Sequence, residues 1–250
     1  EEDNTVVMFL ADNGGCAEFL AEDTPVPDPS RYNYPTVDGR VVRTGNSPNI
    51  DPGQPDTFAS VDIAWANVNN TPFRLFKHFT HEGGISTPFI VSWPAGMGEG
   101  GASNGSVFSN PAHLIDINAT LLDIAGASYP TTFNGHDIKP HEGESFSGVL
   151  KGQDWERDRP IAWEHEGNRA VRMGDWKLVS EGNTRWELYN IVDDFSEAVD
   201  LAAQEPAKLA ELQNMFLAEA AKYNVLPIDD RFAERLDVTL RPSFFTGRTK

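Results

Sequence analysis

The chain has 250 residues, 39% of them hydrophobic, and its 20 Lys and Arg against 38 Asp and Glu give a formal net charge of −18. This length is sufficient for one large domain, or for a domain with a smaller appendage. The acidic balance disfavours nucleic acid and anionic lipid as partners. No apolar run reaches the roughly 18 residues of a membrane span, and the single cysteine, Cys16, excludes an internal disulfide framework.

The segment Thr5–Gly15 (TVVMFLADNGG) is an apolar run that stops at an acid, an amide and two glycines. Such a run predicts a strand buried on both faces, as in a parallel sheet covered by helices. Ligands of these sheets bind beyond the carboxyl ends of the strands. Asp12 and Asn13 lie there and offer the oxygen ligands that a hard divalent cation requires. The alternative is a simple turn, which all these residue types favour.

The next candidate residue is Lys77, which follows a loop-rich stretch and precedes a second predicted strand, Phe89–Trp93. The compact charge of a lysine suits an anionic oxyacid such as sulfate or phosphate. The alternative is a solvated loop lysine whose stem lies on neighbouring phenylalanines. His81 is predicted to belong to loop structure or to the rim of a site, because its His-Glu pair lacks the second helical histidine of a zinc protease motif. We expect residues 16–56, rich in Pro, Asp, Asn and Gly, to form an ordered loop over the sheet's carboxyl edge.

The second half of the chain predicts a helix over 113–126, with apolar residues at helical spacing and a terminal glycine. Four short alternating segments then predict antiparallel strands near 161–164, 169–173, 176–179 and 186–189. A helix is predicted from Pro206, with Leu209, Leu212, Phe216 and Tyr223 on its apolar face. His165 lies in a polar hairpin tip, and is either part of a solvated turn or directed at the main site.

Several segments, taken together and in this order, resemble type I (formylglycine-dependent) sulfatases, in particular bacterial arylsulfatases, over about Thr5 to Asp230. They are FLADNGG from Phe9, RTGN from Arg43, WANVNNTPFR from Trp65, KHFTHEGGISTP from Lys77 and GNRAVRMGDWKLV from Gly167. The resemblance implies an alkaline-phosphatase-like α/β sandwich with a mainly parallel sheet. Residues 1–150 would be the C-terminal part of that domain, residues 151–230 a small α+β subdomain with a four-stranded antiparallel sheet, and residues 231–250 a tail extension.

The resemblance also implies a function, the hydrolysis of a sulfate monoester of a small molecule or glycan. Asp12 and Asn13 match the family's ligands to a divalent cation, usually Ca2+, and Lys77 matches its sulfate-binding lysine. His165 is a candidate for the substrate rim. The family's nucleophile is a formylglycine made from cysteine in Cys-x-Pro/Ser-x-Arg, a pattern that Cys16 does not match.

Because that motif and further metal ligands are not found, and a strand begins so close to Glu1, we expect the chain to be the C-terminal portion of such a hydrolase. It would be inactive without its N-terminal half. Family analogy favours a periplasmic or secreted enzyme. Two alternatives are a phosphate ester hydrolase of the same superfamily and a non-catalytic module that binds an anion or a partner protein.

Overall fold

The computed structural model describes residues 1–18, 35–97, 105–182 and 184–228. The strands are β1 (Val7–Leu10), β2 (Arg43–Thr44), β3 (Thr57–Phe58), β4 (Phe89–Ser92), β5 (Thr132–Phe133), β6 (His136–Asp137), β7 (Ile161–His165), β8 (Asn168–Met173), β9 (Trp176–Ser180) and β10 (Glu187–Asn190). The helices are α1 (Asp62–Asn70), α2 (Glu82–Ile85), α3 (Pro94–Met97), α4 (Leu114–Ile124), α5 (Ser147–Leu150) and α6 (Pro206–Lys222), after a short 3-10 helix at Glu2–Asn4. None of the helices in these ranges is long and apolar enough to cross a membrane.

The four strands predicted in the second half are present and form one antiparallel sheet in the order β10-β9-β8-β7. Two-residue turns join β7 to β8 and β8 to β9, with His165 paired to Asn168 and Met173 paired to Trp176. Gly174 begins the second turn with a φ of 55°, which glycine adopts without steric cost. The prediction of this sheet is confirmed.

One face of this sheet packs against α6. Val171, Leu178 and Leu188 form its core with Leu212 and Phe216 of the helix, and all five are at most 2% exposed. Such side chains recur at every third or fourth position, so one stripe of the helix is buried against the sheet.

The helix starts at Pro206, as predicted, because proline is tolerated where the backbone N–H has no helical partner. Tyr223 follows the last helical residue and is 46% exposed, so its predicted place on the apolar face is wrong.

The first strand differs from its prediction. β1 pairs with β4 in antiparallel register, with Val7 opposite Ser92. Val7 and Phe9 are more than half exposed, whereas Met8 and Leu10 are half-buried. The predicted parallel pairing and burial on both faces are therefore wrong for this pair of strands. An apolar run indicates a strand, but it specifies neither the direction of the neighbour nor what covers each face.

Helix α4 is confirmed, and His113 caps it. The His113 ring accepts a hydrogen bond from the N–H of Ile115, and the His113 N–H donates to Asp116 at 2.7 Å. Asp116 is fully buried and also pairs with Arg157. Of its predicted apolar residues, Leu114 and Leu121 are exposed by 60% and 43%, whereas Ile117 and Ile124 are half-buried. The described part of the chain therefore covers the apolar stripe only in part.

The proposed division at residues 150 and 151 stays a prediction. The tail at 231–250 lies outside the described residues, as does the part of the expected loop between residues 19 and 34.

Candidate active site

Two pairs of glycines, Gly14-Gly15 after β1 and Gly83-Gly84 in α2, lie against each other. The N–H of Gly14 donates to the carbonyl of Gly84 at 3.0 Å. A Cβ placed on Gly14 would lie 1.8 Å from the carbonyl oxygen of Gly83, and one on Gly83 would lie 2.1 Å from that of Leu75. No side chain fits at these distances, so the glycines are required by the close approach of two backbones. This contact fixes the Asp12-Asn13 turn against the segment that carries Lys77.

Asn70, at the end of α1, strengthens the same junction. Its side-chain oxygen accepts from the N–H of Gly15 at 2.8 Å, and its side-chain nitrogen donates to the carbonyl of Leu75 at 3.0 Å. Asn70 is 8% exposed, so its amide satisfies backbone groups of both loops away from solvent. The sequence reasoning missed this residue, because an asparagine near a helix end is ordinarily a local capping residue.

Asp12 and Asn13 come directly after the strand, as predicted. Asp12 is exposed and Asn13 is half-buried. Neither side chain has a hydrogen bond or ion pair with another of the residues that the structure describes. Their oxygens are therefore available to a cation, and an oxygen-only donor pair fits a hard ion such as Ca2+ or Mg2+. The pair supplies two of the six to eight oxygens that calcium takes.

Lys77 lies beside this turn. Its backbone N–H donates to the carbonyl of Gly15 at 3.0 Å. The side chain is exposed, and within the described ranges no carboxylate lies within ion-pair distance of its ammonium group. The structure thus brings the predicted anion-binding lysine and the predicted metal ligands to the same edge of the β1–β4 pair.

The lysine segment is held by a buried ionic cluster. The Nζ of Lys177 lies 2.8 Å from a carboxylate oxygen of Glu82 and 2.8 Å from one of Glu197. The other oxygen of Glu197 accepts from the N–H of Glu82 at 2.7 Å. All three side chains are at most 4% exposed. Buried charges persist only when paired in this way, so the cluster fixes α2, and with it the loop that presents Lys77, to the second face of the β7–β10 sheet.

The pKa values of the two carboxyls respond in opposite directions. Burial would raise the pKa of Glu82, but Lys177 and Arg172 outweigh it and lower the value. Burial raises the pKa of Glu197, and Lys177 offsets only part of that effect. Lys177 and Glu197 were missed from the sequence. The available signal was a lysine two positions before Val179, on a strand whose other residues are apolar except for Ser180.

His81 is buried beneath the same loop rather than on a rim. It is 2% exposed, and its Nε2 lies 3.5 Å from a carboxylate oxygen of Glu187. That oxygen also accepts from Arg74 at 3.2 Å and from the hydroxyl of Tyr189 at 2.7 Å. Burial, reinforced by the charges of Lys177 and Arg74, lowers the pKa of His81 to about 4. The residue is therefore a neutral part of the loop structure at neutral pH.

His165 is at the exposed tip of the β7–β8 hairpin. Its ring centre lies 5.6 Å from that of His78, the residue after Lys77. Asn168, 3% exposed, anchors the hairpin by donating to the carbonyl of His78 at 3.1 Å. His165 therefore lies next to the loop that carries Lys77, and its place at the substrate rim stays a prediction. His78 and Glu166 adjoin it and were not singled out from the sequence.

Comparison with known proteins assigns the chain to a family. A family model described as N-sulphoglucosamine sulphohydrolase, C-terminal, matches residues 73–223. An uncharacterized sulfatase of Schizosaccharomyces pombe is 31% identical over 93% of this chain and 40% of its own length. A sulfatase of Formosa agariphila is 26% identical over 68% of this chain and 34% of its own length.

The crystal structure of Ps i-CgsB superposes on 97% of this chain and 42% of its own, with a TM-score of 0.60 and 22% identity. This likeness confirms the predicted alkaline-phosphatase-like α/β fold class. The chain spans about two fifths of the length of the Schizosaccharomyces pombe relative and of the Ps i-CgsB structure. It belongs to the sulfatases, in the family described as N-sulphoglucosamine sulphohydrolase, C-terminal.

Proposed function

We propose that this chain takes part in hydrolysing a sulfate monoester of a small molecule or a glycan. It would act together with a further portion of the same enzyme that supplies the nucleophile. The observation that carries the proposal is the backbone junction of the Asp12-Asn13 turn with the Lys77 loop. The proposal is supported by the nearness of this turn, with its two oxygen-bearing side chains, to an ammonium group that has no ion-pair partner among the described residues, in a chain of the sulfatase family.

Asp12 and Asn13 would hold a divalent cation, for which we propose Ca2+. Both offer oxygen donors, which a hard cation prefers, and neither is engaged by a described residue. When bound, such an ion polarises an oxygen of the ester and neutralises negative charge. Because two ligands are insufficient, the remaining oxygens would come from the further portion of the enzyme, the substrate and water.

Lys77 would bind the sulfate group. Its ammonium charge is attracted to the anionic substrate, and it stabilises negative charge that develops on the sulfate and on the leaving oxygen. The buried cluster of Glu82, Lys177 and Glu197 keeps the loop from moving, so this charge is in place before the reaction begins. His165 would line the substrate rim next to it.

The nucleophile is not assigned to this chain's cysteine. Cys16 is half-buried, and the residues after it differ from the motif that is converted to formylglycine in the family. A further portion of the enzyme would carry the nucleophile, in keeping with the relatives' greater length. The large apolar side chains exposed on β1 and β4, among them Phe9 and Ile90, provide a surface for that portion to cover.

The test is the Lys77→Ala substitution in the full-length enzyme that contains this chain. We expect turnover of an aryl sulfate to fall by roughly 100- to 1,000-fold, the loss typical of removing one key electrostatic group. Lys139→Ala, which changes another exposed lysine, is the matched control and should retain wild-type turnover. Near-normal turnover by Lys77→Ala would remove this residue from the site.

An aryl phosphate assayed in parallel tests the substrate class. Preferential hydrolysis of the sulfate ester supports the proposal, whereas preference for the phosphate ester would assign the chain to the alternative reaction.

A further inference from the structure

A cluster of three potential metal ligands adjoins Lys77, and two of its members, His78 and Glu166, have no role in the proposed reaction. His78 comes from the loop, and His165 and Glu166 come from the tip of the β7–β8 hairpin. One ligand atom from each of the three lies within 4.8 Å of the other two. The Nδ1 of His78 is 2.9 Å from a carboxylate oxygen of Glu166. Residues almost ninety positions apart in the chain therefore converge on one point at the surface.

The backbone holds this convergence in place. His78 has a φ of 102°, a conformation that non-glycine residues seldom adopt. The buried Asn168 keeps it there by donating to the His78 carbonyl, and the same Asn168 pairs with His165 across the hairpin. Glu166 and Gly167 both have positive φ values, 53° and 89°, which turn the hairpin within two residues. The ligands are thus presented by two anchored turns rather than by free loops.

The chemistry of the donors selects the ion. Two imidazole nitrogens and one carboxylate are the ligands of open zinc sites, in which water or another ligand occupies the fourth position. Calcium and magnesium prefer oxygen donors throughout, so this set differs in kind from Asp12 and Asn13. Two ligands on a tetrahedral zinc ion at about 2.1 Å are separated by about 3.4 Å. The ligand atoms now lie up to 4.8 Å apart, and side-chain rotations that move them by about 1 Å would bring them to the separation that zinc requires. Both histidines are exposed enough to rotate.

A simple ion pair does not account for the whole cluster. It would explain the contact between His78 and Glu166, but it gives no role to the His165 ring packed edge-on at 5.6 Å. Among the residues that the structure describes, no lysine or arginine forms an ion pair with Glu166. Apart from the contact between His78 and Glu166, no described residue occupies the lone pairs of the carboxylate and the two rings, so the remaining lone pairs are available to a cation.

We propose that His78, His165 and Glu166 form a binding site for Zn2+ or a similar borderline transition-metal ion. Three protein ligands leave one position open for water or for an oxygen of an anionic ligand. A role of His165 at the substrate rim is compatible with this assignment.

Binding is measured on the purified 250-residue chain by titration calorimetry with ZnCl2, in the presence of excess Ca2+ that saturates sites made only of carboxylates. We expect one high-affinity Zn2+ per chain. His165→Ala and the nearly isosteric Glu166→Gln should each raise the Kd at least about tenfold, since even outer-shell changes have effects of this size. Substitution with Co2+ should give a visible absorption band that is lost in the same variants.

The matched control is His136→Ala, which removes an exposed histidine from β6 outside the cluster and should leave zinc affinity unchanged. Circular dichroism verifies that each variant is folded. Absence of specific Zn2+ binding by the wild-type chain would overturn the proposal. So would equal affinities of the wild type and a folded His165→Ala or Glu166→Gln variant.

Discussion

Residues 1–150 and residues 151–228 bury their apolar side chains to very different extents. Of the fifteen buried hydrophobic residues in the described ranges, eleven belong to the second region. Of the twenty-three large hydrophobic residues that are exposed there, seventeen belong to the first. The second region thus builds its own core from strands and a helix adjacent in sequence, whereas the first exposes apolar stripes on β1, β4, α1 and α4.

The two regions therefore reach stability in different ways. In the second region, the apolar side chains of the antiparallel strands β7–β10 pack against helix α6, which follows them within about fifty residues. In the first region, the described residues form small sheets of two strands, which are marginal by themselves. Exposed apolar surface of that extent is where the further portion of the enzyme proposed above would pack. The candidate site lies close to the buried ionic cluster through which the second region contacts the first.

The largest effect is expected from the core of the second region. Phe216→Ala should lower the free energy of unfolding by roughly 4 kcal/mol, since it opens a cavity between α6 and the sheet. Phe216 is 2% exposed and its ring packs against Trp186. Leu217→Ala, the adjacent position at 50% exposure, should cost less than about 1 kcal/mol. Urea unfolding followed by circular dichroism measures both, and similar losses would contradict the assignment of the core.

The Lys177→Met substitution tests the ionic contact between the two regions. Removing the cation leaves Glu197 buried without a cationic partner and Glu82 with only the more distant Arg172, which should cost roughly 3 kcal/mol. Lys208→Met removes a solvated ion pair with Glu211 on α6 and should cost about 0.5 kcal/mol or less. The comparison uses the same unfolding measurement. If the two variants lost equal stability, the buried cluster would not be what joins the regions.

The pH dependence of stability should depend on the protonation of His81, which lies at the contact between the two regions. Its folded pKa of about 4 lies below the ordinary value of 6.5, so the unfolded chain binds the extra proton between these pH values. The free energy of unfolding should therefore fall by up to about 3 kcal/mol as pH decreases from 6.5 to 4. His81→Gln should reduce this slope, whereas His136→Gln, at an exposed position, should preserve it. Identical slopes in all three proteins would place His81 outside the buried junction.

The smallest effect is expected on the open face of the first region. Phe9 is 65% exposed, so Phe9→Thr should change the free energy of unfolding of this chain by less than about 0.5 kcal/mol. Met8→Thr, on the half-buried face of the same strand, should cost about 1 kcal/mol or more. Light scattering should show less self-association of the Phe9 variant. A large loss of stability in that variant would show that the chain itself covers this face.

Prediction of the fold from sequence succeeded where the pattern was local. The alternation in β7–β10, the proline that begins α6 and the helical spacing of apolar residues in α4 all depend on residues within a few positions of each other. The same reasoning failed for the pairing of β1. Its partner is some eighty residues away, and an apolar run contains no information about that strand's direction.

The candidate site divides in the same way. From the sequence alone, Asp12 and Asn13 are predicted as oxygen ligands and Lys77 as the cationic group, because side-chain chemistry belongs to each residue. The pairing of Lys177 with Glu82 and Glu197, and the approach of His78 to His165 and Glu166, are visible only in the folded structure. These groups are distant in sequence. Their proximity results from the packing of two regions against each other, which no local spacing of residues encodes.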